Sequence, residues 1–200
     1  MSRAWVEGDL DRLRRITANF FFWQGLRVVP FGLLGLLAAA TYAPWWPAEV
    51  PAEQALLAGV AAALVGFIVA GRYYDREYGR VAERNEDHRQ RSRLKWFAIY
   101  PVMATSLAVD VIVAPALFIS GIVWGAAIVL YWASTGRGRL HYLAIAAGTA
   151  GLGLAPTLGV ASAGDGMLPL FFGWFGAAYV VAGLLDHLQL RRHLPGARHA

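Results

Sequence analysis

Basic residues punctuate this 200-residue chain at intervals that a soluble surface would not impose. Seventeen of its 18 Lys and Arg residues fall in four short stretches that alternate with long apolar runs, and only Arg27 lies deep within a run. A helix needs roughly 20 mostly apolar residues to cross about 30 Å of hydrocarbon. Six stretches meet that description: Phe20–Tyr42, Glu53–Tyr74, Phe97–Phe118, Ile119–Thr135, Leu140–Val160 and Leu168–Leu190. Their hydrophobicity is continuous rather than alternating at period two, which argues against a transmembrane barrel. The chain is 58% hydrophobic and 16% charged, whereas soluble domains carry about 25% charged residues. The expectation is an all-α, polytopic transmembrane helical bundle forming one membrane domain over residues 1–200.

The same residues give an orientation. The connection 43–52 contains Glu49 and no basic residue, whereas 72–96 contains eight. Pro115–Gly121 is uncharged, Arg137 and Arg139 follow the fourth run, Asp165 separates the last two, and Arg191, Arg192 and Arg198 close the chain. Cytoplasmic loops are the ones enriched in Lys and Arg. Six crossings with both termini cytoplasmic satisfy every connection. A single crossing over Val111–Tyr131 would place Arg137 and Arg139 on the wrong side, and Pro115 with Ser120-Gly121 favours a break there.

The net charge of +5 therefore reports topology. No nucleic-acid reading motif accompanies it, so nucleic acid is not an expected partner. The absence of cysteine excludes disulfides, thiolate chemistry and cysteine-ligated metals. Seventeen Arg to one Lys, in a chain rich in Ala, Gly and Leu, suggests a GC-rich bacterial genome and hence the bacterial cytoplasmic (inner) membrane. The first run is expected to be retained rather than cleaved. It exceeds the 7–15 residues of a signal peptide's apolar region, and Glu7, Asp9 and Asp11 dilute the charge before it.

Two segments flank the membrane helices. Residues 1–18, with Trp5, Leu10, Leu13 and Ile16 among charges, read as an interfacial amphipathic helix. The second helix is expected to continue into a basic cytoplasmic hairpin over 72–96. There Arg72, Arg76, Arg80 and Arg84 recur at four-residue spacing along one stripe. That stripe suits either anionic lipid or a cytoplasmic protein partner. Small residues four apart let helices approach closely: Gly59/Ala63 and Ala62/Gly66, Gly121/Gly125, Ala147/Gly151/Ala155, and Gly173/Ala177. Most should serve packing within the chain, and a homo-oligomer face is an open alternative.

Charges inside a bilayer cost about 2.5–3.5 kcal/mol at a helix centre on insertion scales, which makes them functional candidates. Asp110 lies ~20 Å along the third helix from Trp96, with Thr105 and Ser106 beside it in sequence. It is the candidate catalytic general acid, with Ser106, Thr105 and Trp174 as candidate substrate contacts. Arg27 lies ~10 Å above the inner interface and is expected to pair with Asp186, near the cytoplasmic end of the sixth helix. The five histidines show no converging spacing, and neither a nucleophile elbow nor a phosphate loop is present. No metal or cofactor is expected.

Three functions stay open. The chain could be an accessory or regulatory membrane component acting through the basic hairpin. It could be a small-molecule transport or binding subunit with Asp110 in a polar cavity. It could be an intramembrane enzyme acting on a lipid or isoprenoid with Asp110 as general acid.

Overall fold

The computed structural model describes residues 24–78, 86–113, 117–135, 139–159 and 164–193. The expected amphipathic segment 1–18, the first residues of the Phe20–Tyr42 run, and Arg80 and Arg84 lie outside these. The described residues are all-helical. After a 3-10 turn at Gly25–Arg27 come α1 (Val29–Thr41), α2 (Ala52–Glu77), α3 (Glu86–Val113), α4 (Ile119–Thr135), α5 (Leu140–Leu154) and α6 (Leu168–His193). A second 3-10 turn, Gly164–Met167, leads into α6.

Each helix corresponds to one of the six apolar runs, but their lengths differ. Two helices, over Ala52–Glu77 and Leu168–Arg192, are long and apolar enough to cross a membrane. The others are shorter in their apolar parts: α1 has 13 residues, α4 17 and α5 15, and α3 is apolar over Pro101–Val113. At 1.5 Å per residue, these cover less than about 30 Å. Pro30 in the first turn of α1 explains part of the difference. Proline is tolerated at a helix start and disfavours helix immediately before it, so the chain enters α1 through the 3-10 turn. At the other end of the fold, α5 stops at Leu154 and unwinds through turns that include Pro156 and the left-handed Gly159 (φ 68°).

Glycines set which helices meet. On α6, a Cβ at Gly176 would lie 2.6 Å from the Gly32 carbonyl oxygen of α1, and one at Gly32 would lie 2.8 Å from Gly176 O. Gly25 and Gly183 abut in the same way about two turns further along. Two pairs of glycines, each spaced seven apart, thus bring α1 and α6 together antiparallel at backbone distance. Gly121 and Gly125 do the same between α4 and α5, against Gly153 and Ala150. Gly59 and Gly66 on α2 accept Leu34, Leu37 and Pro30 of α1. Gly151, by contrast, faces open space, and Ala147 beside it is exposed; α5 packs through Ala146, Thr149 and Gly153 instead. The resulting neighbours run α2–α1–α6–α5–α4–α3.

Three buried clusters lie along this array. Phe118, Ala155, Met167 and Phe171 form one near the α3–α4 turn. Ile128, Ile145, Ala146, Ala178 and Ala182 form the middle, and Tyr74 with Leu190 closes the other end. The outer faces remain apolar: Leu57, Leu64, Val65, Ile68, Ile112 and Leu140 are all more than half exposed.

Candidate functional site

Polar groups gather at the two opposite ends of α5, where α4 and α6 flank it. The first group centres on Asp110, which is 1% exposed. Its Oδ1 accepts the Ile119 N–H at 2.7 Å and its Oδ2 the Ser120 N–H at 2.7 Å. These are orphan donors of the first turn of α4, since the first four N–H groups of a helix have no partner inside it. A carboxylate there also complements the positive end of the helix dipole. Asp110 therefore caps α4 from the preceding helix and fastens the α3–α4 hairpin.

The hydroxyls around it extend the same bridge. Ser120 Oγ donates to Ser106 Oγ at 3.3 Å, Ser106 Oγ donates to Met103 O, and Trp124 Nε1 also donates to Met103 O. Of the residues expected to join Asp110, Ser106 is part of this network. Thr105 is exposed. Trp174 is engaged elsewhere, donating from Nε1 to Thr149 Oγ1 on α5 at 3.0 Å and packing over Gly148.

The second group lies at the start of α5. Asp186 on α6, also 1% exposed, accepts the Tyr142 hydroxyl on Oδ2 at 2.7 Å. Arg139 Nη1 stands 3.6 Å from the same oxygen, and this guanidinium is itself only 3% exposed. On the other side, His141 Nε2 faces Oδ1 at 3.4 Å, without the alignment of a hydrogen bond. Burying a carboxylate is costly unless it is paired and hydrogen-bonded, and Arg139 with Tyr142 supplies both.

Sequence depth chose Arg27 as the partner of Asp186. The contacts found at the carboxylate come from α5 and its cap residue Arg139, while the Arg27 guanidinium lies against Gly71 and over the Phe67 ring, 5.6 Å from its centroid. From sequence alone Arg139 reads as a loop charge. The alternation of basic connections predicts that Arg139 and the end of α6 share one side, and that coincidence is the available signal.

Next to Asp186, His187 turns toward α2. Tyr74, fully buried, holds its hydroxyl 3.0 Å from His187 Nδ1 while its oxygen accepts the Leu26 N–H at 3.1 Å. The rings of Tyr73, Tyr74, Tyr78 and His187 pack mostly edge to face, with centroids 5.3–6.4 Å apart. Burial pushes the Tyr78 phenol up, neighbouring Tyr73 adds to this, and the nearby Arg191 charge opposes it.

Of the expected basic stripe, Arg72 and Arg76 are both exposed. Among the described residues, no three Asp, Glu or His side chains gather as a metal site would require. Comparison with protein-family models, curated proteins and solved structures finds no match to this chain.

Proposed function

We propose that the chain is a six-crossing protein of the bacterial cytoplasmic membrane that serves as an accessory or regulatory component, presenting the basic 72–96 segment to a cytoplasmic partner. The observation that carries this reading is the state of Asp110. Both of its oxygens are taken by backbone N–H groups of α4, so the most deeply placed intramembrane carboxylate acts in helix assembly. A general acid or a ligand-binding carboxylate needs an oxygen directed at its substrate, which gives the enzyme and carrier readings less support.

Topology supports the membrane part. The Asp110 and Asp186 groups lie at opposite ends of α5, with exposed apolar side chains between them. Large contiguous apolar surface is rare on soluble monomers. Tilting, local thinning and flanking residues accommodate crossings shorter than the bilayer.

Because the chain has no cysteine, single-cysteine labelling reads its topology without background. Glu49→Cys and Asp165→Cys should react with an impermeant maleimide from outside the cell. Arg137→Cys should react only after permeabilisation; external labelling there would refute six crossings. The docking role is tested by photo-crosslinking in cells from positions 72, 76, 80 and 84. A discrete adduct with one other polypeptide is expected, and its absence from all four positions would sink the role.

A further inference from the structure

The aromatic group at the ends of α2 and α6 does more than close the bundle. Tyr74 is fully buried, and its oxygen already accepts the Leu26 N–H. Its one hydroxyl hydrogen then has His187 Nδ1, at 3.0 Å, as its acceptor. A neutral imidazole with an accepting Nδ1 carries its proton on Nε2. With Nδ1 as the acceptor of the Tyr74 hydroxyl, His187 keeps Nε2–H as a donor on the other side of its ring.

Arg191 follows His187 by four residues, on the same face of α6, and is exposed. Its charge acts on both His187 and Tyr78. Tyr73, 38% exposed, stands edge-on to His187 with centroids 5.9 Å apart. At this end of the described structure, Arg72, Arg76, Arg191 and Arg192 outnumber Asp75 and Glu77. Glu77 also bears on Tyr78, but the balance stays positive. Tyrosine rings and arginines are the groups that settle at a cytoplasmic headgroup layer, and basic pockets between helices on that side suit phosphate headgroups.

We infer that the seam between the ends of α2 and α6 binds the phosphate headgroup of an anionic glycerophospholipid, with His187 Nε2–H and the Arg191 guanidinium as donors and Tyr73 as the flanking ring. The inference rests on the membrane reading above and adds a specific lipid site to it. Arginine is the apt partner, since its planar fork matches two phosphate oxygens.

The test uses the full chain reconstituted in phosphatidylcholine vesicles, with spin-labelled phosphatidylglycerol or spin-labelled phosphatidylcholine as probe. The parent should favour phosphatidylglycerol by about fivefold, the effect of one basic residue near a charged surface. Arg191→Gln should bring the ratio close to one, and Arg72→Gln, on the far side of α2, should leave most of the preference. Far-UV circular dichroism checks that both variants keep their helix content, and His187→Gln provides a second variant expected to weaken the preference. Equal affinity of the parent for the two lipids overturns the site, as does a preference that survives Arg191→Gln and falls with Arg72→Gln. Displacement of the labelled lipid by millimolar inorganic phosphate would reassign the site to free phosphate and overturn the lipid assignment. Failure of the chain to incorporate into phosphatidylcholine vesicles refutes the membrane reading itself, and the site falls with it.

Discussion

If Asp110 is a cap rather than a reacting group, its isosteric amide should destabilise the fold. The carboxylate holds two N–H groups at 2.7 Å, short enough to be charge-assisted bonds. Loss of an exposed cap costs about 0.5–2 kcal/mol, and a hydrogen bond to a charged group contributes about 1.5–3 kcal/mol. Both N–H groups belong to one buried helix start, so Asp110→Ala should cost about 3 kcal/mol, between one and two such bonds. Asn keeps one carbonyl oxygen but turns an NH2 group toward the second N–H, which leaves that donor unpaired. Asp110→Asn should therefore cost about half as much, ~1.5 kcal/mol. Ser120→Ala keeps both N–H groups and loses only the 3.3 Å contact to Ser106, so it should cost less than about 1 kcal/mol. The assay is reversible unfolding of the full chain in dodecyl maltoside micelles titrated with dodecyl sulfate, followed by circular dichroism. A general acid makes the opposite forecast, lost activity with unchanged stability. If Asp110→Asn and Asp110→Ala both stay within about 0.5 kcal/mol of the parent, the capping argument is refuted.

Two further outcomes follow from the packing and the second polar group. Gly176→Ala should cost about 1–3 kcal/mol, because its Cβ meets backbone atoms of α1 that cannot turn aside, whereas Gly151→Ala, in open space, should be neutral or slightly favourable; equal effects in the same titration would count against the glycine-mediated α1–α6 contact. Tyr142→Phe removes the 2.7 Å donor to Asp186 and should cost about 1–3 kcal/mol, and a double-mutant cycle with Asp186→Asn should show coupling; additive effects would mean that the hydroxyl contributes nothing at that carboxylate.

Much of the architecture was legible because hydrophobic runs and their punctuation are local. The starts of α4 at Ile119 and α5 at Leu140 fall where the runs begin, and Gly121 and Gly125 sit at the close contact that their spacing forecast. The misses arise where partners lie far apart in sequence. Gly25, Gly32, Gly176 and Gly183 make sense only once α1 and α6 are face to face, and a spacing of seven hides them from a search for spacings of four. Arg139 escaped because a charge at a helix start reads as a loop charge until the helix end carrying Asp186 is brought beside it. The role of Asp110 required knowing that α4 begins within reach of its oxygens, nine and ten residues later; hydropathy places the residue in an apolar run and says nothing of its bonding.

Asp186 and His187 show how two adjacent polar residues can orient a long apolar helix. Neighbours on a helix point about 100° apart, so they cannot share a small site, and the fold uses the divergence. Asp186 reaches Tyr142 and Arg139 on α5, while His187 reaches Tyr74 on α2. The α1–α6 contact lies between these directions and is made of glycines, whose smooth surfaces permit close approach but do little to resist rotation. Apolar packing in lipid has no hydrophobic drive to choose one rotation over another. Turning α6 by one residue would set His187 beside Arg139 and move Asp186 away from its donors, leaving a buried carboxylate unpaired and two basic groups together. The glycines thus set how near α6 comes, and the Asp186–His187 pair sets which way it faces. The same rotation brings His187 Nδ1 to Tyr74, so the contacts that orient α6 also prepare the donor assigned to a lipid phosphate.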